Sequence, residues 1–244
     1  GCLTLSVADG VDLAAATRAQ FDTLLDLLAE RGYPHLLRVW NYLPGINRGA
    51  GDLERYRLFN LGRARAFEAR LGAEGEDWTA PASSAVGTPG DELRTVFFAS
   101  RAPGLHLENP RQVPAYRYPS RYGPRAPTFS RASLVVEGDG LGFFLSGTAS
   151  VVGHETLHVG SLERQVEETL RNVERIVEQA RRRAAWEVPG LDGFDLVKVY
   201  VRDPGRLADA RARVGLAREA PVIVLEADIC RSDLLVEIEG AALR

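Results

Sequence analysis

The sequence contains very little lysine, methionine, cysteine and histidine. Of its 30 basic residues only Lys198 is a lysine, methionine is absent, and there are two cysteines and four histidines. Two cysteines so far apart, Cys2 and Cys230, exclude a disulfide framework. No apolar run approaches the ~20 residues of a membrane span. Because no signal peptide is visible, we expect a cytoplasmic protein.

What the chain does contain is typical of a globular protein. Its 244 residues are 45% apolar and 26% charged, enough for a sizeable core. The net charge of −3 argues against nucleic acid and an acidic membrane surface as partners. The excess of arginine over lysine is explained by GC-rich coding for most positions, although a tight arginine cluster can grip carboxylates.

Hydrophobic periodicity predicts alternating strands and helices. The predicted helices are 12–31, 52–71 with Asp52 as N-cap, 161–183 and 204–214; the predicted strands are 3–7, 35–43, 93–100, 134–137, 141–150, 196–201, 222–229 and 234–241. Residues 72–92 and 101–130 are interpreted as loops. The strand 36–40 matches 196–200, and the helix pattern from Gln20 matches that from Gln165, so the order predicts a duplicated α+β unit.

The segment His154-Glu155-Thr156-Leu157-His158 fits the H-E-x-x-H pattern of zinc peptidases. That chemistry needs both histidines on one face of a helix. Here the segment follows a predicted hairpin strand and precedes the helix that begins near Ser161. We therefore favour a role in the wall of a site and predict no metal.

A proline-stiffened segment carries four arginines and three tyrosines between Tyr116 and Arg131. A stiff loop loses little entropy on binding, and arginine forks suit a ligand that bears carboxylates. A surface loop that stacks on the protein's own acidic residues is an equal alternative from spacing alone.

The last predicted strand places Glu237 and Glu239 on one face. Two carboxylates are costly to bury, and one of them in a cleft has a raised pKa and can act as an acid. The alternative is the solvated face of an edge strand. Cys230, with no histidine nearby in the sequence, is interpreted as a small apolar residue.

The C-terminal half resembles the RidA/YjgF fold. The resemblance rests on Ser146-Gly147 after the hairpin, on the helix that carries Gln165 and Asn172, and on the closing segment 236–240. It implies an α+β (α/β) fold of two RidA/YjgF-like units with mixed sheets packed by helices. We assign residues 1–132 to a degenerate or shortened N-terminal unit with an irregular substrate loop, and residues 133–244 to the C-terminal unit. RidA relatives are trimers, but a duplicated chain can form part of that interface internally. The chain is therefore expected to be a monomer or a trimer.

The whole chain is more specifically similar to the chorismatases, which remove pyruvate from chorismate. The matching segments are 39–47, Arg55-Tyr56, Phe59-Asn60, Gly62-Arg63, Tyr118-Pro119, 122–125, 129–132, 146–150 and 153–156. The resemblance implies that chorismate is the substrate and that no cofactor is needed. Glu237 corresponds to the family's catalytic acid, Tyr118 and Arg121 to its substrate loop, with Arg131 as a further substrate contact and His106 at the wall of the site.

The resemblance also bears on the product. Family members that form 3-hydroxybenzoate carry the glycine and cysteine found here as Gly147 and Cys230, so we expect 3-hydroxybenzoate and pyruvate. Hydrolysis to a dihydroxycyclohexadiene carboxylate, or 4-hydroxybenzoate as a co-product, are the alternatives. More distant ones are a non-catalytic module that binds aromatic acids and a RidA-like imine deaminase, although an arginine typical of the latter is missing near Val222.

Overall fold

Two α+β units follow one another in the computed structural model, which describes residues 1–72, 80–137, 140–184, 186–216 and 221–244. The first unit contains β1 (Cys2–Ser6), α1 (Leu13–Arg31), β2 (His35–Pro44), α2 (Arg55–Leu71), β3 (Ala82–Thr88) and β4 (Glu92–Ser100). The second contains β5 (Leu105–Leu107), β6 (Ala132–Glu137), β7 (Gly140–Ala149), β8 (Val151–Val152), β9 (Glu155–Thr156), α3 (Leu162–Arg183), β10 (Leu196–Val201), α4 (Leu207–Val214), β11 (Val222–Glu226) and β12 (Val236–Leu243).

The two main sheets share one topology. The first has the strand order β1-β4-β2-β3. The corresponding strands of the second sheet follow in the order β7-β12-β10-β11, and β6 and β5 extend that sheet beyond β7. In the first unit β2 and β3 are parallel, and the central strand β4 is antiparallel to both of its neighbours. In the second unit β10 and β11 are parallel, and the central strand β12 is antiparallel to both of its neighbours. The duplicated α+β unit predicted from the sequence is therefore confirmed. Because β5 pairs with β6, the second sheet begins before the predicted boundary at residue 132.

Each sheet carries its helices on one face and buries a separate apolar core there. In the first unit, Phe21 of α1 packs edge-on against Phe59 and Phe67 of α2. In the second, α3 turns the predicted stripe inward: Leu162, Val166, Val173 and Val177 are buried, and Leu170 is half-buried. Side-chain caps fix the starts of both long helices, with Asp12 accepting from the Ala15 amide and Ser161 from the Arg164 amide.

Three local predictions are wrong, the first being the loop 101–130, which contains β5. Asp52 does not cap α2: it lies in a short 3-10 turn, the helix begins at Arg55, and the Asp52 carboxylate accepts a hydrogen bond from Arg57. Residues 82–88, predicted as loop, form β3. Its small residues suggest a loop by composition, but they allow a close approach between the units: a β-carbon on Gly87 would lie 2.6 Å from Asp228 Cβ and 2.8 Å from the Ile46 side chain.

The strand β3 joins the two units. It pairs with β2 on one side, while its amides reach the second sheet. The Ala82 amide donates to Ser133 Oγ and the Ser83 amide to Ser146 Oγ, each at a distance of 2.9 Å. This seam positions the site described next. No helix in the described part of the chain is long and apolar enough to cross a membrane.

Candidate active site

A cavity of about 270 Å³ opens where the two units meet. Its floor is formed by β3, β7 and β12, and its walls by α2, by the proline-rich segment before β6 and by the turn that precedes β12. Six of the seven predicted site residues line it: Glu237, Cys230, Gly147, Tyr118, Arg121 and Arg131. The topology therefore gathers side chains that are up to 119 residues apart (Tyr118 to Glu237) in one cavity.

The seventh predicted residue, His106, does not line this cavity. It lies on β5, where its Nδ1 is 2.8 Å from Ser133 Oγ, at the seam between the units. Burial and the nearby His35 lower the pKa of His106 to about 4. Its assignment to the wall of the site is therefore wrong. The strand that carries it, β5, pairs with β6 at the edge of the second sheet, away from β7 and β12, which form the floor of the cavity.

Glu237 projects into the cavity from the central strand β12. It is 4% exposed, and its Oε1 has no hydrogen-bond partner among the described residues. Burial, and next the negative charge of Glu239, raise the pKa of Glu237 to about 8; Arg38 and Arg131 oppose this. The carboxyl is consequently protonated at neutral pH and can act as an acid.

Glu239 lies on the same face of the same strand and is ionised. Its Oε1 accepts hydrogen bonds from Trp40 Nε1 at 2.8 Å and from Tyr200 Oη at 2.9 Å, and Lys198 Nζ lies 3.1 Å away. Its Oε2 accepts from Arg38 at 2.5 Å and from the Ser84 hydroxyl. Burial opposes ionisation, but Arg38 and Lys198 hold the pKa of Glu239 below its usual value. The prediction that both carboxylates share a face is confirmed, and the solvated-edge alternative is wrong.

Gly147 and Cys230 lie beside the Glu237 carboxyl. A β-carbon on Gly147 would lie 2.1 Å from Glu237 Oε1 and 3.0 Å from Ser84 Oγ, so only glycine leaves room for the acid in this position. Desolvation, followed by the charge of Glu237, raises the pKa of the Cys230 thiol to about 12. Cys230 is therefore a neutral wall residue and not a thiolate nucleophile.

The proline-rich segment presents Tyr118 and Arg131 to the cavity. Arg131 Nη2 donates to the Tyr118 hydroxyl at 2.9 Å and to the Val113 carbonyl at 3.1 Å. Glu108 lies 3.8 Å behind the guanidinium, and burial raises the pKa of Glu108 to about 7 although Arg131 and Arg117 lower it. Arg131 is thus held by the Tyr118 hydroxyl and the Val113 carbonyl, and its guanidinium lines the cavity.

Arg121 lies at the mouth of the cavity and not in its interior. The side chain is exposed, pairs with Glu155 and approaches His154 Nδ1 to 2.7 Å. His154 and Glu155 belong to the β8–β9 hairpin, while His158 lies 3.7 Å from Glu168. The H-E-x-x-H segment is therefore not helical, and within the described ranges no group of three or more histidine, cysteine, aspartate or glutamate side chains is placed to hold a metal.

Among the cavity residues that were not predicted as site residues are Arg63, Ser84 and Arg231. Arg63 on α2 is 2% exposed; its guanidinium donates to Asn60 and lies 4.9 Å from the centre of the Phe59 ring, but its Nε has no partner among the described residues. Ser84 lies on the overlooked strand β3. Arg231 stacks on the Tyr122 ring at 4.2 Å. Arg63 stands in a segment that resembles the chorismatases, so the signal for it was present.

The cavity combines the protonated acid Glu237 with the two buried guanidinium groups of Arg63 and Arg131, and part of its wall is apolar. These groups define the class of site. The Cys230 thiol and the Glu237 acid are both neutral, so neither of them provides a charged nucleophile. The arrangement can bind a small anion and bring an acid close to it. Acid catalysis on a carboxylated substrate is the chemistry that this arrangement fits.

Comparison with known proteins agrees with this class. Residues 1–99 match the family model described as "Chorismatase FkbO/Hyg5-like, N-terminal". A protein named 3-hydroxybenzoate synthase from Streptomyces hygroscopicus is 43% identical over 239 residues, which cover 93% of this chain and 69% of that protein. A protein named chorismatase from Streptomyces rapamycinicus is 43% identical over 243 residues, covering 96% of this chain and 72% of the relative.

Among solved structures, the crystal structure of a chorismatase at 1.08 Å resolution superposes with a TM-score of 0.90. It is 37% identical in sequence, and the match covers 99% of this chain and 74% of that one. The chain belongs to the chorismatase family.

Proposed function

We propose that this chain converts chorismate into 3-hydroxybenzoate and pyruvate, with Glu237 as the acid that starts the reaction. The observation that carries the proposal is the buried, protonated carboxyl of Glu237 in a cavity that also contains two buried arginines. Membership of the chorismatase family supplies the substrate, and the similarity to a protein named 3-hydroxybenzoate synthase supports the product.

The first chemical step uses the Glu237 proton. Transfer of this proton to the methylene carbon of the enolpyruvyl ether creates an oxocarbenium ion, which weakens the bond between the ether oxygen and the ring. When that bond breaks, its electrons stay with the oxygen and pyruvate leaves. The ring's own hydroxyl, rather than water, then bonds to the carbon that pyruvate has left while its original carbon–oxygen bond breaks, so that the positive charge moves to the neighbouring carbon and the oxygen is retained in 3-hydroxybenzoate. Aromatisation releases a ring proton that restores Glu237, so the atoms of chorismate divide between the products without net water.

Two buried guanidinium groups suit the two carboxylates of chorismate. Arg131 and Arg63 both line the cavity, and Arg63 pairs with no carboxylate among the described residues. A buried, unpaired cation is costly, so a bound carboxylate recovers free energy that the empty site lacks. Burial lowers the pKa of Arg63 to about 10, which still leaves it charged at neutral pH.

The choice of 3-hydroxybenzoate as the product is based on Gly147 and Cys230. The Glu237 carboxyl fills the space beside Gly147, so the missing methyl group of this residue makes room for the acid and not for the substrate ring. Glycine thereby allows the acid to lie flat against β7. The neutral thiol of Cys230 provides an apolar wall on which the ring can rest while its hydroxyl reacts before water does.

Incubation of the purified chain with chorismate tests the proposal. We expect release of pyruvate, detected by coupled NADH oxidation with lactate dehydrogenase, in equal amount to a product that co-elutes with 3-hydroxybenzoate. A dihydroxycyclohexadiene carboxylate or 4-hydroxybenzoate in its place would correct the product alone. No pyruvate at high enzyme concentration, with binding of 3-hydroxybenzoate retained, would instead establish the non-catalytic binding module.

A further inference from the structure

The second buried carboxylate, Glu239, has no contact with the cavity but is connected to it. It is 1% exposed and accepts hydrogen bonds from both units: Arg38, Trp40 and Ser84 come from the first sheet and Tyr200 from the second. A buried ion pair of this kind is a weak source of stability, because desolvation of both charges offsets their attraction. So elaborate a network around a group outside the cavity therefore calls for another explanation.

The network leads directly to the acid. The Ser84 hydroxyl that donates to Glu239 also accepts hydrogen bonds from Arg38 at 2.5 Å and from the Gly147 amide at 2.8 Å. Gly147 in turn is the residue against which the Glu237 carboxyl lies. Glu239 and Glu237 also occupy alternate positions on one strand, so both face the seam between the units.

We propose, on the basis of the function proposed above, that Glu239 is a positioning residue whose fixed negative charge keeps Glu237 in its protonated form beside Gly147. Arg38 and Lys198 hold Glu239 ionised, so the negative charge is permanent. Like charges on one face disfavour ionisation of the second group, and the pair titrates in two steps with Glu239 first. The first unit thus contributes to catalysis by holding in place, through Arg38, Trp40 and Ser84, a residue of the second unit that has no contact with the cavity.

Opposing charges around Glu237 determine the direction of the test. From β12 it faces Glu239, from β2 Arg38, and from the end of the proline-rich segment Arg131. The thiol of Cys230 and the phenol of Tyr56 are also within electrostatic reach, and burial raises the pKa of both. Without the Glu239 charge, Arg38 and Lys198 lose their counterion and favour the ionised form of Glu237.

The decisive variant is Glu239→Gln, which keeps the size of the side chain. The titration of Glu237 is followed by carbon-13 NMR of side-chain carboxyls in the ligand-free protein, with the Glu237 resonance identified by its absence from Glu237→Gln. We expect the midpoint to fall by at least one pH unit from its wild-type value near 8. The alkaline limb of kcat/KM should move by the same amount, so that turnover recovers towards acid pH. An unchanged midpoint with a loss of activity that is equal at every pH would overturn the proposal.

Two further variants separate charge from structure. Lys198→Gln also removes a contact of Glu239 but leaves its negative charge, so the midpoint of Glu237 should stay or rise. If Glu239→Gln does not fold, the double variant Arg38→Met with Glu239→Met removes both buried charges, a replacement that is often tolerated. There the midpoint should still fall, because the Glu239 charge acts on Glu237 more strongly than Arg38 does; an unchanged or higher midpoint contradicts the proposal. Since the titration needs no chorismate, failure of the proposed function is distinguished from failure of this inference.

Discussion

The central strands of the two units, β4 and β12, occupy the same place in the same topology but carry opposite chemistry. On β12, Glu237 and Glu239 pair with Tyr200 and Lys198 of β10; on β4, the equivalent partners of Trp40 and Arg38 are Val96 and Phe98. The apolar Phe98 is 48% exposed, whereas the two carboxylates are buried. Burial here follows from what covers the strand and not from the polarity of its side chains.

The cover is asymmetric because the carboxylates of β12 meet cations from the other unit. Glu239 meets Arg38 and Trp40 from the first sheet, while the exposed ring of Phe98 makes aromatic edge contacts with Trp40 and Phe144. A duplicated fold has in this way produced one acid site and one apolar surface. If this comparison is correct, substitutions at matched positions of β12 and β4 must have very different effects.

The largest effect is expected for Glu237→Gln, which preserves shape and removes the proton. General acid catalysis contributes about 10²–10⁴-fold, so kcat for pyruvate release should fall by that factor. The matched control is Val96→Gln, which places the same side chain at the equivalent position of β4 and should leave turnover within about twofold. Binding of 3-hydroxybenzoate, measured by calorimetry, should persist in both. Equal losses in the two variants would remove the distinction between the strands.

The next effect concerns Arg63, the buried arginine of the first unit. Arg63→Met should raise KM by about 10–100-fold, since a hydrogen bond between charged partners contributes about 1.5–3 kcal/mol. Because the cation is unpaired in the empty site, the same variant should raise the melting temperature of the ligand-free protein by a few degrees, about 2–4 °C per kcal/mol. The exposed Arg65 on the same helix offers a control, Arg65→Met, with neither change. A lower melting temperature with an unchanged KM would contradict the anchoring role.

A smaller effect is expected for Gly147→Ala, which tests the fit between β7 and the acid. The added methyl group overlaps Glu237 Oε1, so the carboxyl must rotate and the ring of the substrate must shift with it. We expect a several-fold fall in kcat and a larger fraction of the hydrolysis product, measured by chromatography. An unchanged product ratio would show that Gly147 does not select the product.

The smallest effect is expected at the mouth of the cavity. Glu155→Gln removes the exposed partner of Arg121 and should change kcat/KM by no more than about fivefold, because surface ion pairs contribute about 0–1 kcal/mol. The change should disappear at high salt, since exposed charges are screened. A tenfold loss that persists in salt would place Arg121 and Glu155 in the catalytic machinery.

The fold was predictable where local pattern determines it. The duplicated order of elements, the buried stripe of α3 and the shared face of Glu237 and Glu239 all follow from periodicity. The strand β3 was missed because Ala82, Ser83, Ser84 and Gly87 have the composition of a loop, and only the close contact between two sheets makes small residues favourable in a strand.

The site was predictable only in part, for a related reason. Resemblance to chorismatases identified six residues that line the cavity and also matched the segment that carries Arg63, whereas Ser84 lines the cavity only through the packing of the first unit against the second. The role of Glu239 depends on Arg38, which is 201 positions away, and no spacing rule brings that pair together. His106 was misplaced because its strand, β5, is the edge strand of the second sheet and lies two strands away from β7. The likeness of each unit to RidA/YjgF proteins stays a prediction.

The most direct test of the account is the pH dependence of kcat/KM for pyruvate release from chorismate. An acid must be protonated to act, and Glu237 has a pKa raised to about 8, so activity should be full below that value and fall tenfold per unit above it. Glu237→Gln should abolish this limb. A wild-type profile that declines instead between pH 4 and 5, as for an ordinary carboxyl, or that stays flat to pH 10, would contradict the central claim.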